Sequence, residues 1–130
     1  MPAPMRQDLS IKAFDMTKHM LLALSNPLPG RDQDLAQWLD EYHIPDVLKA
    51  PGFVSACRYE LSSEQYKPGP HPYRYATVYE VEADDLKSAF GALTAAVQAG
   101  TKTDSRDRTQ MALWVFTPAG PKRFAGEAKS

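Results

Sequence analysis

The order in which apolar periodicities follow one another constrains this chain more than any single motif. The clearest piece is "YRYATVYEVE", residues 73–82. Its Tyr, Val and Thr content and its alternation predict a strand. The period then changes from two to 3.6. Leu86, Phe90, Leu93 and Val97 form one helical stripe, with Asp84 or Asp85 to cap its start and Gly100 to stop it. A polar loop, "TKTDSRDR" (101–108), leads to a last strand, "TQMALWVFTP", which Pro118 ends.

The first half repeats the scheme. "KHMLLALSNP" (18–27) reads as a buried strand ended by Asn26-Pro27, and "NPLPGRDQD" as a loop, because its prolines and glycine cannot continue a ladder. Asp32 is the expected N-cap of a helix on which Leu35, Trp38, Leu39 and Tyr42 fall at i, i+3, i+4 and i+7. Pro45 lacks an N–H and restricts Ile44, so the regular helix should weaken there, with Val47 and Leu48 adding one turn before Pro51-Gly52. "GFVSACRYELSS" (52–63) is the second strand, and "EQYKPGPHP" the long proline-rich connection to the third.

The order β-α-β-β-α-β defines an α+β fold of ferredoxin-like type: a four-stranded antiparallel sheet with both helices on one face. The expected boundaries are an N-terminal extension at 1–16, the domain at 17–118 and a C-terminal tail at 119–130. Both faces of the strands are largely apolar. In the last strand Met111, Leu113 and Val115 oppose Ala112, Trp114 and Phe116. Two helices cover one face, so the other is an exposed patch of the kind that marks an interface. A homodimer stacking sheet on sheet would bury it; the terminal extensions folding over a monomer would do the same.

Composition bounds the function. The 130 residues suffice for one domain with one core. With 15 basic and 16 acidic residues, the net charge of −1 provides no general attraction to nucleic acid or anionic membrane. Cys57 is the only cysteine, so no intramolecular disulfide forms and a reducing, cytoplasmic setting is expected. "MPAPMRQDLS" has no apolar core of a secretory signal, and no apolar run approaches the roughly 20 residues that span a bilayer.

"ALSNPLPGRDQDLAQWLDEYHIPDVLKAPGFVSACRYEL", followed by "YRYATVYEVEADDLKSAF", resembles the dimeric α/β-barrel superfamily and, within it, the EthD-like proteins. The similar elements are the strand ending in Asn-Pro, the Trp-containing helix running into His-x-Pro-Asp, the Pro-Gly turn and the Tyr-Glu-Val before the second helix, over residues 18–117. The resemblance implies a homodimer and, in each subunit, a pocket between sheet and helices with its mouth near the end of the first helix. The superfamily includes cofactor-free isomerases, polyketide cyclases, quinone-forming monooxygenases and haem-degrading enzymes, and fold alone does not choose among them.

Within that frame His43, about 100° from Tyr42 on a helical wheel, is the candidate general acid or base, its ordinary pKa of about 6.5 suiting proton transfer. The plain alternative is a polar residue favoured by the helix dipole. Arg58 interrupts an apolar strand and is the candidate for oxyanion support, or else a partner of Glu60, Glu80 or a carboxylate of a second subunit. Trp38, Tyr59, Tyr75, Tyr79, Trp114 and His19 are candidate substrate-binding residues for an aromatic or polyketide-like ligand, the alternative being ordinary core and dimer packing. His71 is expected in a solvated loop. No H-x-x-x-H or E-x-x-H pair is present, so no metal is expected, and no cofactor; haem enters only through the superfamily.

Two functions fit. One is a cofactor-independent enzyme working by acid–base chemistry on a small aromatic, polyketide-like or carbonyl compound, as an isomerase, cyclase, lyase or monooxygenase. The other is a non-catalytic dimeric ligand-binding or accessory protein of a catabolic or biosynthetic pathway. A purely structural dimer is a third reading.

Overall fold

The computed structural model describes residues 16–127. The expected N-terminal extension lies, apart from Met16, outside the described residues. Four strands, β1 (Thr17–Pro27), β2 (Phe53–Glu60), β3 (Tyr75–Ala83) and β4 (Arg106–Phe116), form one antiparallel sheet in the order β2-β3-β1-β4. Between β1 and β2 run α1 (Asp32–Trp38), a π turn (Leu39–His43) and α2 (Ile44–Val47); α3 (Leu86–Ala99) joins β3 to β4. This is the α+β, ferredoxin-like arrangement that the order of periods predicts.

Strand β3 shows why the sheet has two characters. Tyr75, Thr77, Tyr79, Val81 and Ala83 are buried, and the residues between them are only half-buried. In register, Leu21 of β1 stands opposite Tyr79 and Val115, which fixes the odd-numbered side of these strands as the helix side. Two packed clusters occupy that side. Helix α3 lays Ala89, Leu93 and Val97 on Leu21, Tyr79 and Val81. Helix α1 and the start of the π turn lay Leu35, Trp38 and Leu39 on Tyr75.

Local chemistry sets the ends. The Asp85 carboxylate caps α3, accepting from the Lys87 N–H at 3.0 Å and the Ser88 hydroxyl at 2.8 Å. Asp32 does not cap α1 as expected: it is the first helical residue, and its carboxylate pairs with Arg74. Gly52 turns the chain into β2 at a φ of +93°, and a Cβ there would sit 2.8 Å from the Glu82 carbonyl oxygen. Phe90 leaves the expected α3 stripe and stays exposed, because the helix seats through Ala89, Ala92 and Ala96, whose small side chains allow a close approach to the sheet.

The helix between β1 and β2 departs most from the 3.6-residue reading. It does not simply weaken at Pro45. Pro45 has no N–H, and in an α-helix its ring would press on the carbonyl four residues back. The chain opens into a π turn just ahead of it, where the Ile44 N–H donates to the Leu39 carbonyl, five residues back. This one-residue widening shifts the register. Tyr42, expected on the buried stripe, is 46% exposed, and His43 takes the inward place.

Strand β4 starts at Arg106, three residues before the expected start, because Arg106 pairs with Pro27 beyond an irregularity at Ser25/Pro27. The sheet face away from the helices carries Met20, Leu22, Cys57, Tyr59, Ala76, Val78, Trp114 and Phe116. Trp114 and Phe116 are 52% and 49% exposed.

Candidate functional site

A cavity of about 250 Å³ lies between the helix side of the sheet and the two helical layers. Its apolar walls include Leu21, Leu39, Val47, Leu93 and Val97. Its polar side chains come from four elements: Ser25 of β1, His43 of the π turn, Thr77 and Tyr79 of β3, and Arg106 of β4. Among the described residues no Asp or Glu lines it.

The π turn builds the central contact. On an α-helix, residues five apart point about 140° away from each other. Here Trp38 and His43, five apart, stack with centroids 4.4 Å apart and planes at 20°. Trp38 is itself fixed, since its indole N–H donates to the Thr101 carbonyl at 2.9 Å. The Arg106 guanidinium lies 4.9 Å from the centroid of the same indole. Trp38 is thus the common support of a histidine and an arginine that the sequence separates by 63 positions.

Electrostatics sharpen the roles. Burial, and secondarily the Arg106 cation, lower the His43 pKa from 6.5 to about 4, against a smaller raising effect of Asp46. His43 is therefore a neutral imidazole near neutral pH and can accept a proton. Burial raises the Tyr79 phenol, with Arg106 opposing, so Tyr79 keeps its proton and can donate a hydrogen bond. Burial and Arg108 lower Arg106, which as an arginine stays charged.

The other expected site residues lie elsewhere. Arg58 stands on the helix side of β2 opposite Thr77. Its Nε and Nη2 donate to the Asp40 carboxylate at 2.7 and 3.0 Å, and Nη1 donates to Glu60 at 2.9 Å. It does not line the cavity. Tyr75 lies beneath Arg58, its hydroxyl donating to the Asp32 carbonyl at 3.1 Å. His19 spends both ring nitrogens on structure: Nε2 donates to the Ala83 carbonyl at 3.3 Å, and Nδ1 meets the Thr117 hydroxyl at 2.8 Å. Tyr59 and Trp114 point to the open sheet face. A broader depression of about 540 Å³ lies over that face, bordered by Met20, Cys57, Tyr59, Val78 and Phe116.

Sequence reasoning misses Ser25, Thr77 and, most consequentially, Arg106. Its neighbours, "TKTDSRDR", read as a polar loop, and only the β4 register against Pro27 carries it into the sheet. Among the described residues no group of three or more His, Cys, Asp and Glu side chains can hold a metal ion. The cavity is smaller than the about 300–1,000 Å³ of sites for drug-sized ligands.

Fold and site together define a small ferredoxin-like α+β protein with a closed-in polar cluster beneath its helices, and the fold is the EthD-like one. No protein-family model matches the chain, and no curated protein matches it. Solved structures do. An ethyl tert-butyl ether D (EthD) family protein from Bacillus halodurans C-125 superposes with a TM-score of 0.52 at 15% identity, over 82% of this chain and 99% of that one. HapK from Hahella chejuensis gives a TM-score of 0.49 at 13% identity, over 86% and 99%. At these identities the likeness concerns the fold alone. Among the described residues no helix is long and apolar enough to cross a membrane.

Proposed function

We propose that the chain is a cofactor-independent enzyme that works by acid–base chemistry on a small carbonyl-bearing or aromatic molecule. One observation carries this: a neutral, partly buried imidazole, held by a stack on Trp38, shares an apolar cavity with a phenol donor and a guanidinium. In the proposed reaction His43 removes a proton next to a carbonyl. The Tyr79 hydroxyl donates to the oxygen on which charge develops, and the Arg106 cation positions the substrate. The proton returns from His43 to another atom of the same molecule, which completes an isomerisation, or drives loss of a leaving group. The cavity volume selects a compact substrate.

We further propose that the chain works as a homodimer joined through the open sheet face. The exposed Trp114, Phe116, Tyr59 and Met20 support this, because apolar area of that kind is otherwise left in water.

The test is a panel of small carbonyl compounds assayed for turnover with wild type and His43→Ala. Loss of about 10²–10⁴-fold in kcat, with ligand affinity nearly kept, is the expected result for a general base. Unchanged turnover of every compound the wild type converts would remove His43 from the chemistry. A wild type that binds such compounds and converts none would favour the non-catalytic ligand-binding role.

A further inference from the structure

The charge balance of the cavity narrows the ligand further. Arg31, Arg58 and Arg74 each hold a carboxylate. Arg106 differs: like the exposed Arg108 and Arg123 it has no ion pair among the described residues, but it is only partly exposed, and its guanidinium lies over the Trp38 indole. It is also the more costly cation to leave alone, because it is largely withdrawn from water. Among the described residues no carboxylate lines the cavity to neutralise it. Arg108 follows two positions later on the same strand and adds positive field. The nearest acid that acts on His43 is Asp46, and it is already engaged by Lys49 at 3.4 Å and by the Thr101 N–H at 3.2 Å.

From this we infer that the ligand is a small monocarboxylate whose anionic group pairs with Arg106 and whose apolar body lies against Leu21, Leu93 and Val97. A guanidinium supported on an aromatic face leaves its N–H edge open, and that planar fork matches a carboxylate bidentately. Ser25 and Thr77, both buried and both lining the cavity, place hydroxyls within the same pocket. Arg106 is then a ground-state anchor, and the Tyr79 hydroxyl is left to serve the reacting oxygen. The assignment rests on the small-molecule role proposed for this cavity.

The experiment is calorimetric titration of the full chain with matched acid and amide probes: benzoate against benzamide, and phenylacetate against phenylacetamide. In wild type each acid should bind at least about tenfold more tightly than its amide. Arg106→Met should abolish that preference by weakening the acid, with the amide moving little, and Arg106→Lys should restore part of it. Equal binding of acid and amide to wild type would overturn the carboxylate assignment while leaving the small-molecule cavity standing. So would a preference retained in Arg106→Met. If neither member of either pair binds, the small-molecule role fails, and the carboxylate assignment fails with it. The wild-type comparison needs no substitution, so a poorly folding variant does not decide the outcome.

Discussion

At the scale of the residue, His43 changes meaning most between sequence and structure. Helix-wheel logic places it beside the buried stripe; the π turn brings it onto the stripe and against Trp38. Its neutral state has a consequence for stability. In the unfolded chain it titrates near 6.5, in the fold at about 4. The unfolded state therefore takes up the proton first as pH falls. The stability present above about pH 6.5 is lost progressively down to about pH 4 and then levels off, by up to about 3 kcal/mol for this one group. Urea unfolding at stepped pH should show this slope in wild type and a shallower one in His43→Gln. Identical slopes would mean that the imidazole is not desolvated. Arg58 shows the opposite outcome. The rule that an arginine in an apolar strand needs a partner is obeyed, and the partners are Asp40 and Glu60. Asp40 lies on the π turn, so Arg58 ties β2 to the segment that carries His43.

At the scale of the element, the strands and the long helix were legible because their periods largely survive folding, although Phe90 leaves the helical stripe and β4 starts earlier than its pattern. The alternation of "YRYATVYEVE" is the burial alternation of β3, and Asp85 caps α3 as a residue of its type does, whereas Gly100 ends it in an extended conformation and not the left-handed one. What was not legible shares one cause: a register shift that local periodicity cannot express. The π turn exchanges Tyr42 for His43, and the irregularity at Ser25/Pro27 pulls Arg106 out of a polar loop into the sheet. Both shifts fall at the cavity, so the fold, His43 and Tyr79 could be read from the sequence, while Ser25, Thr77 and Arg106 could not. Gly52 gives an element-scale prediction. Gly52→Ala forces a Cβ onto the Glu82 carbonyl at 2.8 Å and an L residue into a φ of +93°. It should cost about 1–3 kcal/mol in denaturant unfolding. A loss below a few tenths would show that the β2 entry relaxes freely.

At the scale of the whole molecule, the helices conceal one sheet face with its cavity and leave the other apolar. The open face invites a second copy, and the prediction follows from its exposed aromatics. Wild type should sediment as a dimer, and Trp114→Glu, which puts a charge on that face, should sediment as a monomer with its far-UV spectrum intact. A wild type that stays monomeric at all concentrations would refute the sheet-to-sheet dimer. The central claim concerns the other face: a neutral His43 in a ligand-accepting cavity. An NMR titration of the imidazole resonances, with His43 identified by its loss in His43→Gln, tests it most directly. The midpoint should lie near 4 in the free protein. It should move upward with benzoate bound, because a nearby anion favours the imidazolium. A midpoint near 6.5 that benzoate leaves unmoved would contradict both the burial of His43 and its place in the site.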